Sequence, residues 1–203
     1  MNFFDFITRL LQGSTQPKIK EPKPVSTVTK VEDRSSSSLS RMILHWTAGR
    51  HTASYLDKKH YHFLIEGDGT VVKGYYKPEA NESTRGGYAA HTRMKNTGSI
   101  GISLCAMAGA EWSPFKAGKY PITKEQVEAL CSLIAELSVV YDIPITERTV
   151  LSHAEVEKVL GVKQRGKWDI SWLPHYRTRV TPSEVGHYIR KKAKTKLSGF
   201  SVS

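Results

Sequence analysis

Histidine is the residue type that first points to chemistry in this chain, because eight histidines occur among 203 residues. Most single histidines are ordinary core or surface residues, so functional histidines must be distinguished from them by position in the chain. His45 ends the apolar run 42–46, and His153 follows the short apolar run 149–151. Functional sites of α/β folds lie at the carboxyl ends of strands. The two histidines are therefore candidates for one shared cleft.

A catalytic zinc ion takes three protein ligands and keeps a fourth position open for water. Asp169, sixteen residues after His153, is a plausible third ligand beside the two histidines. Spacing alone is weak evidence here, because the chain has no short signature of the His-Glu-x-x-His kind. Five further histidines are interpreted as ordinary core or surface residues: His51, His60, His62, His175 and His187.

Short apolar runs predict the strands that must position these side chains. They lie at 42–46, 61–65, 71–75, 99–104 and 149–151. The sequence Gly67-Asp68-Gly69 is a strong hairpin signal between the second and third strands. Residues 77–98 show no periodicity, which indicates a long functional loop.

Two capping boxes predict helices. Thr123 with Gln126 opens a helix whose apolar residues recur at helical spacing until Pro144. Thr181 with Glu184 opens a basic C-terminal helix, with Pro182 at the first helical position. The predicted buried stripe of that helix is Val185, Tyr188 and Ile189. Strands with interspersed helices predict an α/β fold, a single domain with a central mixed β-sheet flanked by helices.

The chain divides into four predicted parts. Residues 1–12 are an amphipathic N-terminal segment, either a membrane-surface or partner-docking helix or a helix that packs on its own domain or frays. Residues 13–40 carry prolines, a serine run and almost no large apolar side chains, which predicts a flexible linker. The catalytic body is predicted at 41–180, and residues 181–203 form a basic helix and tail.

Composition narrows the class of protein. The net charge of +11 predicts attraction to polyanions, and the last eighteen residues contain no acid. No apolar run approaches the roughly 18 residues of a membrane span. Asp5 interrupts the N-terminal apolar stretch and no cation precedes it, so we expect no cleavable signal peptide. Cys105 and Cys131 lie in apolar surroundings and are predicted to be buried and reduced.

Several separate segments resemble, in order, the type 2 N-acetylmuramoyl-L-alanine amidases. This superfamily includes phage endolysins, bacterial cell-wall recycling amidases and animal peptidoglycan recognition proteins, and the resemblance is nearest to its phage endolysin-like branch. The match covers roughly residues 41–176. The segments are His45-Trp46-Thr47-Ala48, Tyr61 to Ile65 with Gly67 to Val71, His91 with Asn96 to Ile102, Ser152 to Val156, and Lys167-Trp168-Asp169.

The resemblance implies that His45, His153 and Asp169 hold one Zn²⁺ ion. Zinc lowers the pKa of its bound water from 15.7 to about 7 and so supplies hydroxide at neutral pH. The implied substrate is bacterial peptidoglycan, cut between the lactyl group of N-acetylmuramic acid and L-alanine. Lys167 is implied to stabilise the oxyanion, and Tyr61 to bind the water or polarise the substrate.

The resemblance also assigns residues to substrate binding, namely Thr47, Ala48, Arg85, His91 and Asn96. The general base stays unassigned. Recycling relatives carry a glutamate on the strand equivalent to 99–105, where this chain has Ser103 and Cys105. Glu155, close behind His153, is interpreted as a solvated loop carboxylate.

Three functions compete at this point. The favoured one is a phage or prophage endolysin, made without a signal peptide in the bacterial host cytoplasm and acting at the cell wall or periplasm. The alternatives are a non-catalytic peptidoglycan receptor and a recycling amidase acting on muropeptides. A nucleic-acid-binding function is disfavoured, because the sequence has no nucleic-acid-binding motif with the required spacing. We expect a monomer whose basic C-terminus and amphipathic N-terminus could contact anionic envelope polymers or a membrane surface.

Overall fold

A computed structural model of the protein describes residues 37–200; the predicted amphipathic segment 1–12, most of the predicted linker and residues 201–203 lie outside them. Within the described residues the strands are β1 (Arg41–Trp46), β2 (Phe63–Ile65), β3 (Val71–Lys73), β4 (Ser99–Leu104) and β5 (Val150–Ser152). They form one sheet in the order β3-β2-β4-β1-β5. Among the strand pairs of this sheet in residues 37–200, β2–β3 is antiparallel and the other three are parallel. The predicted single domain with a mixed sheet is confirmed.

Helices flank this sheet, and within residues 37–200 they are α1 (Tyr55–His60), α2 (Lys124–Val140), α3 (His153–Leu160), α4 (Pro182–Phe200) and the 3₁₀-helix Pro78–Glu82. The predicted capping box of α2 forms, with Thr123 and Gln126 bonding each other's backbone N–H. The sequence did not predict α1, because this helix buries none of its residues and so shows no apolar stripe.

The core lies around β1, β4 and β5, which are buried along almost their whole length. Parallel strands covered on both faces are expected to be uniformly apolar in this way. Helix α4 packs against α2 and buries Val185, Ile189 and Ala193, while Tyr188 is partly buried. The basic C-terminal helix is thus part of the same packed body as the sheet.

Packing begins earlier than the sequence predicted. Leu39 is buried in the core, and the Ser37 hydroxyl donates a hydrogen bond to Glu82 at 2.7 Å. The core of the described residues therefore already includes Leu39, which the sequence analysis placed in the predicted linker 13–40. The interpretation missed this because one leucine within a polar stretch gives no periodic signal.

Glu155 corrects a second prediction. It is buried and ion-paired with Arg190 of α4 at 3.1 Å, so it is not a solvated loop carboxylate. A Cβ on Gly186 would lie 2.3 Å from the carboxylate oxygens, so the glycine lets α4 approach Glu155 this closely. The partner lies 35 residues away in the chain, and sequence spacing gives no sign of it.

Two further predictions concern the cysteines and membrane-spanning helices. Cys105 and Cys131 are buried free thiols, as predicted. Among the described residues, no helix combines the length and the apolar character that crossing a membrane requires.

Candidate metal centre and active site

Strands β1 and β5 are parallel neighbours, and this pairing brings the candidate ligands together. His45 is the fifth residue of β1, and His153 is the first residue of α3, directly after β5. Asp169 lies in the loop after α3, where its carbonyl accepts a hydrogen bond from the Ala154 N–H at 2.8 Å. The three side chains therefore meet at the carboxyl edge of the sheet, where α/β folds hold their sites.

The ligand atoms of these three residues converge. Asp169 Oδ2 lies 3.3 Å from His45 Nδ1 and 3.2 Å from His153 Nδ1. One ligand atom from each residue falls within a 4.8 Å span, and all three side chains are buried. The structure thus brings together the three residues that the sequence predicted as a metal site.

The electrostatics of the cluster suit a divalent cation. Burial, then the neighbouring His153, lowers the pKa of His45 to about 4, so its imidazole is neutral at pH 7. Burial alone would raise the pKa of Asp169, but its contacts with His153 and His45 hold it below its usual range. Neutral imidazole nitrogens and an ionised carboxylate are donors that zinc accepts. The residues present therefore fit a zinc ion.

The outward nitrogens of the two histidines also have partners. His45 Nε2 lies 3.3 Å from both Thr92 Oγ1 and His91 Nδ1. His153 Nε2 lies 3.0 Å from Gln164 Oε1. Such outer contacts fix the tautomer and orientation of ligating histidines. Sequence reasoning missed Thr92 and Gln164, because polar residues in non-periodic loops give no signal of their contacts.

Tyr61 lies beside the cluster, and its ring centroid is 5.1 Å from that of His45. It caps the C-terminus of α1. The sequence predicted Tyr61 as the first residue of a strand, whereas β2 begins two residues later, at Phe63. Burial, then the charge of Asp169, raises the pKa of its hydroxyl, which is a neutral hydrogen-bond donor at pH 7. This position suits a group that polarises a substrate carbonyl.

Lys167 is exposed in the loop that carries Asp169. Its backbone N–H donates to the Gln164 carbonyl at 3.3 Å, which ties this loop together. The positive charge of Lys167 contributes, after larger effects, to the lowered pKa of His45. The Lys167 charge is therefore felt at His45, one of the candidate ligands.

His91 packs against β4 at the rim of the cluster. It is buried, and its ring centroid lies 5.3 Å from that of His45. A Cβ on Gly101 would lie 2.5 Å from the imidazole, so only glycine leaves room for the ring there. His91 thus contacts the cluster directly, and its role in substrate binding stays a prediction.

The other residues predicted to bind substrate sit in loops, and their substrate roles stay predictions. Asn96 Oδ1 accepts hydrogen bonds from the N–H groups of His91 and Thr92 at 3.0 and 2.7 Å, which holds that loop. Thr47 Oγ1 accepts from the N–H groups of Gly49 and Ala106. Ala48 and Arg85 are exposed.

His62 shows how a nearby histidine differs from the ligands. Its Nε2 lies 3.0 Å from Asn81 Oδ1, and its Nδ1 accepts the Gly101 N–H at 2.8 Å. Burial lowers the pKa of His62 to about 4. With both ring nitrogens occupied, His62 is the ordinary core histidine that the sequence suggested.

The fold and the site together define an α/β protein with a candidate metal centre at the carboxyl edge of its sheet. Residues 35–171 match the family described as N-acetylmuramoyl-L-alanine amidase, and the chain belongs to this family. It is therefore an amidase that acts on peptidoglycan. No match was found among curated protein sequences.

Three hydrolases are among the solved structures to which this chain is similar. The Staphylococcus aureus hydrolase AmiA, solved with its ligand, is 15% identical with a TM-score of 0.53, covering 96% of this chain and 91% of its own. The endolysin of the Thermus scotoductus bacteriophage Ph2119 is 17% identical with a TM-score of 0.46, covering 75% and 83%. Escherichia coli AmiD, solved with anhydro-N-acetylmuramic acid-L-Ala-D-gamma-Glu-L-Lys, is 21% identical with a TM-score of 0.43, covering 63% and 53%.

Proposed function

We propose that this amidase uses one zinc ion, held by His45, His153 and Asp169, to hydrolyse the amide bond between N-acetylmuramic acid and L-alanine. The observation that carries the proposal is the convergence of three buried donor atoms within 4.8 Å at the carboxyl edge of the sheet. A bound zinc ion polarises a carbonyl and makes its coordinated water acidic enough to ionise near pH 7.

The residues around the cluster have separate proposed tasks. The Lys167 ammonium stabilises the negative charge that develops on the scissile carbonyl oxygen. The Tyr61 hydroxyl, neutral and beside His45, donates a hydrogen bond to the same reacting group. The substrate lies against the loops that bear the remaining proposed contacts, namely Thr47, Ala48, Arg85, His91 and Asn96.

Two candidates for the general base can be set aside. Glu155 is buried against Arg190, and its carboxylate faces α4 and the backbone of Ser152. Cys105 is buried, which raises the pKa of its thiol to about 12 and keeps it protonated at pH 7. The proton taken from water therefore passes to a group other than these two.

We infer that the enzyme serves as a phage or prophage endolysin. In this role it is made in the bacterial host cytoplasm and acts, as a monomer, at the cell wall or periplasm. Support comes from α4, where Lys191 and Lys194 are exposed while Lys192 and Lys196 pair with Glu128 at 2.6 and 3.2 Å. The exposed lysines offer anionic envelope polymers or a membrane surface a positively charged face. The amphipathic segment 1–12 would add a second such contact.

The receptor alternative receives no support from the site. A non-catalytic receptor has no need of a complete ligand set, whereas His45, His153 and Asp169 all carry donor atoms in position. The recycling alternative differs only in substrate, a soluble anhydromuropeptide in place of intact wall.

Mass spectrometry of the products tests the bond that is cut. Purified peptidoglycan is digested with the enzyme, and the soluble and insoluble fractions are analysed. The proposal expects stem peptides with a free L-alanine amino group and glycan chains that keep an intact lactyl group. Products cleaved within the glycan, or no products, contradict it. Comparing kcat/KM for intact wall and for a 1,6-anhydromuropeptide separates the endolysin from the recycling enzyme.

A further inference from the structure

Gln164 is a buried polar side chain in the loop between α3 and Asp169, with only 4% of its surface exposed. All of its side-chain polar atoms have partners. The amide oxygen lies 3.0 Å from His153 Nε2. The amide nitrogen donates to the carbonyl of Arg93 at 3.2 Å and to that of Val162 at 3.0 Å.

These contacts determine the orientation of the Gln164 side-chain amide. Carbonyl oxygens accept hydrogen bonds only, so the Gln164 NH₂ group must face Arg93 and Val162. The amide oxygen then faces His153, and because it too can only accept, the histidine must carry its proton on Nε2. A neutral imidazole protonated on Nε2 has its lone pair on Nδ1. That atom lies 3.2 Å from Asp169 Oδ2, inside the cluster.

The backbone of Gln164 is held as firmly as its side chain. Its N–H donates to Glu157 Oε2 at 3.0 Å, which ties it to α3. Its carbonyl accepts the N–H of Lys167 at 3.3 Å. The Arg93 guanidinium donates to the carbonyl of Lys163 at 3.2 Å, so the loop 91–97 braces the same turn. Hydrogen bonds of the backbone and of the side chain thus both hold Gln164 where its amide oxygen faces His153.

We propose that Gln164 is a positioning residue that holds His153 in the tautomer and orientation that present Nδ1 to the zinc ion. The inference rests on the proposed zinc site and adds the residue that prepares one ligand before the metal arrives. Gln164 itself contacts neither metal nor substrate. Outer partners of ligating histidines typically contribute about 10- to 100-fold to metal affinity.

The test measures the zinc dissociation constant of the full chain by competition with a chromophoric chelator. Gln164→Met keeps the length of the side chain but removes the acceptor, and it should weaken zinc binding about 10- to 100-fold. Gln164→Glu restores an acceptor for the Nε2 proton, although its second carboxylate oxygen loses the hydrogen bonds to Arg93 and Val162. It should therefore bind zinc more tightly than Gln164→Met does. The visible spectrum of bound Co²⁺ reports a changed ligand geometry in the methionine variant only.

Gln126→Met is the matched control. Gln126 is equally buried, and its amide donates to the carbonyls of Ile65 and Cys105 while accepting the Thr123 N–H, away from the cluster. Its replacement should cost unfolding free energy in the metal-free protein but leave the zinc dissociation constant of the folded protein unchanged. Should Gln164→Met fail to fold, Gln164→Asn carries the same expectation, because the shorter amide cannot reach His153.

Wild-type zinc affinity in Gln164→Met would overturn the positioning role, and so would an equal loss of affinity in Gln126→Met. A wild-type protein that binds no zinc would instead overturn the metal site itself. The two failures are therefore distinguishable in one set of titrations.

Discussion

Glu155 and Arg190 form a buried ion pair that joins the first turn of α3 to α4. Both carboxylate oxygens of Glu155 lie 3.1 Å from Arg190 Nη1, and the guanidinium also donates to the Val150 carbonyl at 3.0 Å. Glu155 also accepts the Ser152 N–H at 2.8 Å, which caps the helix that begins at His153. The C-terminal helix is thereby connected to the segment that carries a candidate ligand.

Removing one partner of this pair should destabilise the fold. Arg190→Ala leaves the Glu155 carboxylate buried without its counter-charge, a change that typically costs about 3–5 kcal/mol of unfolding free energy. Urea denaturation measures the loss. Lys191→Ala, at the next and exposed position, should change the unfolding free energy by less than about 0.5 kcal/mol. Equal stabilities for the two variants would show that the ion pair does not hold α4 in place.

Acid should destabilise the protein through His62. Its pKa is about 4 in the folded protein, below the 6.5 of an unperturbed histidine, so the unfolded state binds the proton first. The contribution of neutral His62 to the unfolding free energy is therefore complete above pH 6.5. It decreases by about 3 kcal/mol as the pH falls towards 4. Urea unfolding between pH 7 and pH 4 measures the slope. His62→Gln should make the unfolding free energy depend less on pH than it does in wild type. An equal pH dependence in the two proteins would show that protonation of His62 is not the cause.

Lys167 should matter for turnover and not for metal binding. Lys167→Ala removes the charge proposed to stabilise the oxyanion, and loss of such a group typically lowers kcat about 100- to 1,000-fold. Because Lys167 donates to Gln164 through its backbone, the loop keeps its hydrogen bond in the variant. The control is Lys163→Ala, an exposed lysine of the same loop. Initial rates on solubilised wall and zinc content are compared, and a fall in zinc content would give Lys167 a structural role instead.

The exposed lysines of α4 should govern attraction to anionic surfaces. Each lysine near such a surface contributes about 1 kcal/mol, so Lys191→Gln and Lys194→Gln should each weaken binding to anionic lipid vesicles about fivefold. The double variant Lys73→Gln/Lys77→Gln removes two exposed charges elsewhere and should bind as wild type. Truncating the helix is unsuitable, because Val185 and Ile189 are buried in the core. Co-sedimentation measures binding, and a loss in the Lys73→Gln/Lys77→Gln variant as large as that in the α4 variants would indicate a response to net charge alone.

The elements that sequence predicted best are those with a strong local signal. Strand β4 spans Ser99–Leu104 as predicted, and α2 begins after the predicted Thr123 cap. Uniformly apolar runs and reciprocal caps are local, so they are readable without the fold. The cluster of His45, His153 and Asp169 was predictable because strand ends and a family resemblance pointed to the same residues.

What the sequence did not predict depends on contacts between distant segments. Gln164 and Thr92 are single polar residues in loops, and only the folded chain brings them to the two histidines. Glu155 looked solvated because its partner Arg190 lies in a different helix. Helix α1 stayed unpredicted because Tyr55 and Leu56 face solvent. Long-range polar pairing leaves no periodic trace in a sequence.

The central claim is that a zinc ion at His45, His153 and Asp169 performs the hydrolysis. Its most direct test is the release of free L-alanine amino groups from purified peptidoglycan by native protein, by chelator-treated protein restored with Zn²⁺, and by His153→Ala. The account predicts release by native enzyme, loss with chelator or substitution, and recovery with zinc in the wild type only. Zinc-loaded wild type that releases no amino groups, or undiminished release by His153→Ala, would contradict it.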